Sequence, residues 1–271
     1  MYSKGLTPPA RKRWGQHFLT SGAVARRIVE AARVAPGDTV VEVGPGDGAL
    51  TRPLAARAGR LLAIEIDPLR AGALEREFEG APGVRVARGD ILQKPFSAWL
   101  AEAGWEGPAL LVANLPYNAA TPILLSAIED PAAISRAVTT VQREVAERFA
   151  ARPGEAGYGY LSVRAAAFAR ARALFDLPPS AFRPRPRVTS SVLELYPREP
   201  PLDPLLRRRA LLLASLGFRS RRKTLANALV PEAARGDWER ALEALGKDRR
   251  ARAEELSLED FLDLARKVPP R

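Results

Sequence analysis

Short apolar runs alternate with amphipathic segments through the first two thirds of the chain. Four of these runs end in a polar or glycine-rich segment: Val40–Val43, Arg60–Asp67, Val84–Asp90 and Ala109–Ala113. Runs of this length, rich in Val, Ile and Leu, predict buried β-strands, and the segments between them have the spacing of amphipathic helices. Alternating strands and helices predict an α/β fold with a mainly parallel sheet covered on both faces.

The pattern changes near Pro197, where the chain becomes rich in proline. Before that point three further strands are predicted, at Ala137–Val141, Ala173–Leu177 and Val188–Leu195; beyond it only helices are predicted, at Leu205–Leu216, Thr224–Leu229, Trp238–Leu245 and Leu258–Ala265. We therefore expect a seven-stranded, Rossmann-like sheet domain over residues 21–197 and a small helical domain over residues 198–271. Residues 1–20 are predicted to form a basic arm that also covers the ligand site.

Three glycines at alternate positions, Gly44, Gly46 and Gly48, follow the first strand and precede a helix. A strand, a tight glycine turn and a helix N-terminus allow backbone N–H groups to approach a nucleotide-like ligand closely. The spacing is one residue shorter than the dinucleotide fingerprint, so a tight turn without a ligand remains a competing interpretation.

Acidic residues close the next two strands, and the carboxyl ends of parallel strands meet at one edge of a sheet. Glu65 can bind both hydroxyls of a ribose, in a nicotinamide or an adenosyl site alike. Asp90 precedes the apolar Ile91, and this pair suits the amino group and the face of an adenine ring. A helix-capping or turn role explains Asp90 taken alone equally well.

The charge balance favours a polyanionic partner, because the formal net charge is +11 and the sequence pI is near 10.6. Only six of the 42 basic residues are Lys, and the planar fork of Arg suits phosphate. The chain has no cysteine, which excludes disulfides and thiolate metal sites, and we predict no metal. No apolar run approaches the roughly 20 residues of a membrane helix and no signal-peptide pattern is present, so we expect a cytoplasmic protein without membrane contact.

The segment Asn114-Leu115-Pro116-Tyr117 follows the fourth strand and resembles the motif of S-adenosylmethionine-dependent amino methyltransferases, in its N-[I/L]-P-Y form. The amine of adenine is a poor nucleophile because its lone pair is delocalised into the ring. The side-chain oxygen of Asn114 and the carbonyl of Leu115 can accept its hydrogens and make the nitrogen nucleophilic. Tyr117 offers an aromatic face to an unstacked base.

Motifs along nearly the whole chain resemble those of one family, the small-subunit ribosomal RNA adenine dimethyltransferases known as the kasugamycin-sensitivity enzymes. The matching segments are Gly15–Leu19, Val41–Gly46, Ile64–Asp67, Gly89-Asp90, Asn114–Asn118, Val141–Ala146, Tyr158-Gly159, Leu161–Val163, Phe182–Pro184 and Arg221–Leu225. The resemblance implies N6,N6-dimethylation of two adjacent adenosines in the 3′-terminal hairpin loop of small-subunit RNA. It also implies a role in small-subunit biogenesis, with the immature subunit as partner; we expect a monomer.

The motifs and the resemblance together predict a set of site residues. Catalytic roles fall to Asn114, Leu115 and Tyr117; cofactor contacts fall to His17, Leu19, Gly44, Gly46, Glu65, Ile66, Asp90, Ile91 and Asn114; RNA contacts fall to Tyr117, Phe182, Arg221, Arg222 and Lys223. His17 stands where many relatives have Asn, and we assign it to binding rather than to acid–base chemistry. The basic residues 221–223 could instead be a solvated helix start, but phosphate contact is the better interpretation for an RNA substrate.

Three other functions remain open on the sequence. A large-subunit ribosomal RNA adenine methylase shares the N-[I/L]-P-[Y/F] chemistry, although the basic block at residues 221–225 argues against it. An RNA-binding ribosome-assembly factor, with methylation secondary, would use the basic clusters but leave the ligand motifs unexplained. A nicotinamide-dependent dehydrogenase is disfavoured by the glycine spacing.

Overall fold

The computed structural model describes residues 16–220 and 222–269, and these residues form two compact units. The first unit runs through Ala146 and resumes over residues 172–196; the second contains residues 147–171 and the described residues after Pro197. The predicted domain boundary near Pro197 assigned residues 147–171 to the sheet domain, whereas the structure places them in the second unit. They belong to the helical unit because Tyr158, Val163 and Ala167 share an apolar cluster with the later helices.

Nine strands make two sheets in the described part of the chain. They are β1 (Phe18–Leu19), β2 (Thr39–Val43), β3 (Arg60–Glu65), β4 (Val84–Arg88), β5 (Ala109–Asn114), β6 (Ile134–Gln142), β7 (Ala169–Leu177), β8 (Phe182–Arg183) and β9 (Ser190–Pro197). Seven of them form one sheet in the order β4-β3-β2-β5-β6-β9-β7. The first five in that order are parallel and β9 runs antiparallel to β6, which confirms the predicted seven-stranded, mainly parallel sheet.

Five helices lie wholly within the first unit. They are α1 (Gly22–Ala32), α2 (Thr51–Ala55), α3 (Pro68–Glu77), α4 (Phe96–Glu102) and α5 (Ala120–Glu129), and α6 (Arg143–Ala150) follows them. The side chains of Ser21 and Asp67 cap α1 and α3, the latter with Pro68 in its first turn. Ile28 and Val29 of α1 are buried against strand residues such as Val40 and Val112, so this helix covers one face of the sheet.

The second unit is helical. Its helices are α7 (Tyr160–Phe168), α8 (Pro204–Arg219), α9 (Leu225–Ala228), α10 (Arg235–Glu243) and α11 (Leu258–Lys267). Trp238 and Phe261 are fully buried at its centre, and the indole N–H of Trp238 donates to the Leu229 carbonyl at 2.9 Å. No helix in the described residues is long and apolar enough to span a membrane.

Candidate active site

The polar ends of β2, β3, β4 and β5 meet at the carboxyl edge of the sheet, as the sequence predicts. Two adjoining cavities open there. The larger, about 240 Å³, is lined by Gly44, Ile66, Asp90, Ile91, Leu92 and Pro116, among others. The smaller, about 50 Å³, is lined by Gln16, His17, Phe18, Glu65, Asn114 and Leu115, among others. A pocket at this edge, between parallel strands, is where α/β sheets bind ligands.

The glycine turn adopts a backbone that side chains disfavour. Gly44, Gly46 and Gly48 all have positive φ, at 68°, 58° and 80°. At Gly46 space is also limiting, because a Cβ there would lie 2.6 Å from the ring of Phe18. The Cζ of Arg70 in turn lies over the Phe18 ring, 4.4 Å from the ring centroid. The ring therefore packs directly on the turn, and only glycine fits beneath it.

Glu65 is buried at the end of β3, and backbone donors fix its carboxylate. Its Oε2 accepts the N–H of Gly46 and its Oε1 accepts the N–H of Asp67, both at 2.9 Å. Burial raises the pKa of Glu65, while these two hydrogen bonds oppose the shift. Because each carboxylate oxygen can accept more than one hydrogen bond, a diol can still bind the oriented group.

Asp90 caps a short turn and also lines the larger cavity. Its Oδ1 accepts the N–H of Leu92 at 3.0 Å and so caps the short 3₁₀ turn Ile91–Gln93. The same residue lines the larger cavity beside Ile91 and Leu92. One carboxylate oxygen thus fixes the turn, and the residue stands next to an apolar wall of the cavity.

Asn114 presents a buried acceptor that has no partner among the described residues. Its Nδ2 donates to the His17 carbonyl at 2.7 Å, whereas its Oδ1 is buried without a hydrogen bond. The His17 carbonyl fixes this orientation, because a flipped amide would bring two oxygens together. A buried acceptor without a partner is costly unless a ligand completes it.

The segment that supplies this carbonyl is held by an antiparallel pair. In it Phe18 pairs with Arg183 and Leu19 pairs with Phe182, so β1 and β8 form the second sheet. Nδ1 of His17 lies 2.7 Å from the carbonyl oxygen of Pro184, which can only accept, so Nδ1 carries the proton. Contacts with β8, about 165 residues later in the sequence, thereby hold β1 next to Asn114.

Tyr117 is held from two sides. Its hydroxyl bonds to the Oγ of Ser190, a fully buried residue at the start of β9, and its ring lies 4.9 Å from the His17 ring at 31°. Burial raises the pKa of Tyr117, so it stays a neutral phenol. Sequence reasoning did not single out Ser190. Its only signal is its place at the start of an antiparallel strand, which brings it to the carboxyl edge.

The structure corrects the assignment of Phe182. The ring of this predicted RNA contact is only 2% exposed and packs in the apolar cluster that contains Leu19, Ile28 and Val192. A ring in this position supports β1 and cannot offer a face to a base. The F-x-P segment is thus a structural partner of the segment around His17.

The predicted basic contacts lie in the second unit. Arg222 and Lys223 are exposed in the turn between α8 and α9, as phosphate contact requires. Arg221 and the basic residues 11–13 of the predicted arm lie outside the described residues.

One more buried acid lies beside the glycine turn. Glu42 of β2 is fully buried, and its Oε2 has no hydrogen-bond partner within the described ranges. Burial, together with the nearby charge of Glu65, raises its pKa to about 8, although the neighbouring Thr51 hydroxyl opposes the shift. Glu42 therefore holds a proton at neutral pH in the structure as described.

The family model for ribosomal RNA adenine dimethylase matches residues 8–268 of the chain. The chain belongs to this family. The matched residues of this chain include the glycine turn, Glu65, Asp90 and the Asn114–Tyr117 segment, which meet at the carboxyl edge. The family uses S-adenosylmethionine.

Known relatives agree with this family membership. Ribosomal RNA small subunit methyltransferase A from Magnetococcus marinus is 40% identical over 98% of this chain and 94% of its own length. The crystal structure of the 23S rRNA methyltransferase ErmE has a TM-score of 0.74 and 28% identity, covering 93% of this chain and 99% of that one. A dimethyladenosine transferase from Plasmodium falciparum has the same TM-score at 24% identity, covering 92% and 96%, and supports the fold.

The residues at the edge fit the family's cofactor. Glu65 offers an oriented carboxylate for a diol, and Asp90 with Ile91 offers an acceptor beside an apolar wall. Gly44 has positive φ and lines both cavities without a side chain, which allows close approach of a charged end group there.

Proposed function

We propose that this ribosomal RNA adenine dimethylase methylates N6 of two adjacent adenosines in the 3′-terminal hairpin loop of small-subunit RNA. As a family member it is an S-adenosylmethionine-dependent ribosomal RNA adenine dimethyltransferase, and its 40% identical relative is named for the small subunit. The observation that carries the chemistry is the buried, unpartnered Oδ1 of Asn114 at the end of β5.

Asn114 would activate the amine of the target base. Its Oδ1 would accept an N–H of that amine and so hold the nitrogen lone pair out of the ring. Because the His17 carbonyl already fixes the amide, the acceptor needs no reorientation during the reaction. The carbonyl of Leu115 is the proposed second acceptor, on a turn that Pro116 stiffens.

The cofactor would lie along the strand ends next to Asn114. When bound, S-adenosylmethionine supplies an electrophilic methyl group. Glu65 would hold the ribose hydroxyls, Asp90 would accept from the adenine amine, and Ile66 and Ile91 would pack on the ring. The backbone of Gly44 and Gly46 would line the amino-acid end, and the segment with His17 and Leu19 would cover it.

Tyr117 would hold the target base by stacking. One face of its ring is next to His17, and Ser190 fixes its hydroxyl, so the other face is the one proposed for the base. No strong general base is needed in this scheme, because the amine nitrogen becomes acidic once it carries the methyl group and releases its proton readily.

The RNA contacts would extend to the helical unit. Arg222 and Lys223 are exposed there, and with Arg221 they form the proposed phosphate contact. We further propose that a monomer acts on the immature small subunit in the cytoplasm. The net charge of +11 supports a polyanionic partner such as ribosomal RNA.

Labelled methyl transfer to RNA that lacks the modification tests the proposal. We expect label in small-subunit RNA, recovered in two adjacent adenosines near the 3′ end. Because ErmE is 28% identical and acts on 23S rRNA, large-subunit RNA is the necessary parallel substrate. Label confined to large-subunit RNA would refute the proposal. If a methylation-dead variant restored subunit maturation fully, assembly would be the primary role.

A further inference from the structure

A group of charged side chains surrounds one buried carboxylate away from the carboxyl edge of the sheet. Glu194 of β9 is 0% exposed and accepts hydrogen bonds from Arg33 at 3.0 Å, from Arg172 at 2.7 Å and from the hydroxyl of Tyr196 at 2.7 Å. Arg136 of β6 completes the group at 3.5 Å. We call these five residues the arginine cluster.

The arginine cluster carries more positive charge than its buried carboxylate requires. Arg136 is only 12% exposed, and it balances Glu194 while also donating to the Ala32 carbonyl at the end of α1. Arg33 and Arg172 are 61% and 67% exposed, and neither forms a salt bridge with another acid in the described part of the chain. Two surplus positive charges are therefore fixed at the surface.

Within the described residues only Nη2 of each surface arginine makes a hydrogen bond, and that of Arg33 reaches both Glu194 and the Tyr196 hydroxyl. Arg33 and Arg172 contact Glu194 through Nη2 alone, whereas a guanidinium has five N–H donors. Since the two arginines bind opposite oxygens of one carboxylate, they are held close together. Arg33 also has φ of 50°, a conformation where glycine or Asn is usual, which shows that the helix end accommodates this side chain at a cost.

The position of the cluster separates it from the chemistry. Asn114 pairs with Thr140 of β6, and Arg136 lies four residues earlier on the same strand. At about 3.3 Å per residue, this places Arg136 about 13 Å from the reacting edge along the strand. Glu194, which contacts both surface arginines, pairs with Val138, about 7 Å from Thr140 along the strand. No residue of the arginine cluster lines either cavity at the carboxyl edge, so a ligand at Arg33 and Arg172 would be distinct from the target base and from the cofactor.

We propose that Arg33 and Arg172 form a second RNA contact, which binds the phosphate backbone of the ribosomal RNA at a distance from the methylated bases. Paired guanidinium forks match the non-bridging oxygens of phosphates, and pre-fixed side chains lose less entropy on binding. The proposal rests on the proposed function for its RNA partner. An extended RNA has phosphates at this distance from the target base, whereas a single nucleotide does not.

The test is the salt dependence of binding to intact small-subunit RNA. We expect the variants Arg33→Gln and Arg172→Gln each to bind about fivefold to tenfold more weakly near 0.1 M salt. Each variant should also reduce the slope of log affinity against log salt by about 0.9. Glu194 keeps Arg136 and Tyr196 in both variants, so the fold should persist, which thermal unfolding would verify.

Arg88→Gln is the matched control, because Arg88 is 55% exposed in the same unit but is paired with Glu75. It should leave the slope nearly unchanged. Methyl transfer at saturating RNA should match wild type in all three variants, since none of these arginines is in the proposed catalytic site. If wild type methylates small-subunit RNA but a variant with both Arg33→Gln and Arg172→Gln keeps the wild-type slope, the second contact is refuted. If wild type methylates no small-subunit RNA, the proposed function itself fails.

Discussion

Two regions of the sheet, its carboxyl edge and the middle of β9, treat buried polar groups in opposite ways. At the carboxyl edge, Asn114 Oδ1 and Glu42 Oε2 are buried without hydrogen-bond partners in the described structure. Away from that edge, both oxygens of the buried Glu194 are satisfied, and surplus arginines surround it. The first arrangement leaves the acceptor of Asn114 available to a ligand, whereas the second is complete and has charge left over.

This difference separates a site for chemistry from a surface for docking. An unsatisfied acceptor costs stability in the empty protein and gains a partner only when substrate binds, which is how a preorganised site works. A satisfied carboxylate instead positions exposed cations at little cost. The predictions that follow test each side of this comparison.

Removing the acceptor at Asn114 should have the largest effect. We expect Asn114→Ala to lower turnover about 100-fold to 1,000-fold, the loss typical of one preorganised polar group, and to weaken cofactor binding by much less. Single-turnover methyl transfer and cofactor titration would measure the two quantities. Asn227→Ala, an exposed amide on α9, is the control. Near-normal turnover in the Asn114 variant would contradict the role of this acceptor.

Removing the satisfied carboxylate should chiefly affect stability. Glu194→Ala leaves the partly buried Arg136 without its acid, and we expect a loss on the order of 3 kcal/mol in the free energy of unfolding. Denaturant unfolding measures it. The control Glu259→Ala breaks an exposed pair with Arg198 and should cost less than about 1 kcal/mol. Equal losses in the two variants would show that Glu194 does not organise its cluster.

The two buried glutamates should respond to pH with opposite signs. Burial raises the pKa of Glu42 to about 8, so the folded state holds its proton where the unfolded state has lost it. Stability from Glu42 is therefore complete below about pH 4.5 and falls as the pH rises toward 8, by up to about 1.4 kcal/mol per pH unit. Glu42→Gln should become progressively more stable than wild type over this range.

For Glu194 the sign is reversed. Burial alone would raise its pKa, but hydrogen bonds from Tyr196 and Arg172 bring it below its ordinary value. Its stabilising contribution is therefore present above about pH 4.5 and disappears in acid, so wild type should exceed Glu194→Gln at neutral pH and lose that advantage in acid. The free energy of unfolding of wild type, Glu42→Gln and Glu194→Gln, measured from pH 3 to 9, tests both predictions. Parallel pH profiles would contradict the contrast between the two regions.

The smallest expected effect concerns the position of Tyr117. Ser190→Ala removes the partner of its hydroxyl, and we expect KM for RNA to rise about threefold to fivefold, on the order of 1 kcal/mol. Ser191→Ala is a matched control, since this buried neighbour bonds to Asp176 instead. In the double variant with Tyr117→Phe the two effects should not add. Additive losses would mean that Ser190 acts by another route.

Sequence reasoning could predict the parts of the site that local patterns encode. The glycine turn, Glu65, Asp90 and Asn114 each stand at the end of an apolar run, and the topology of parallel strands brings such ends together. The seven-stranded sheet followed from the same runs. The helix starts were close for the same reason, with α8 beginning at Pro204 rather than Leu205.

Contacts between distant segments could not be predicted in this way. The pairing of β1 with β8 joins segments about 165 residues apart, and it explains why Phe182 is buried rather than exposed to RNA. The arginine cluster likewise collects residues from α1, β6, β7 and β9 that no local pattern relates. Packing of α7 with the later helices moved residues 147–171 out of the predicted sheet domain.

The most direct test of the central claim is the chemical identity of the product. Small subunits that lack the modification would be treated with wild-type protein and labelled S-adenosylmethionine, and their RNA digested to nucleosides. An acceptor aimed at the adenine amine predicts that the label is recovered as N6,N6-dimethyladenosine. Label on a ring carbon, on a ribose hydroxyl or on another base would contradict the account.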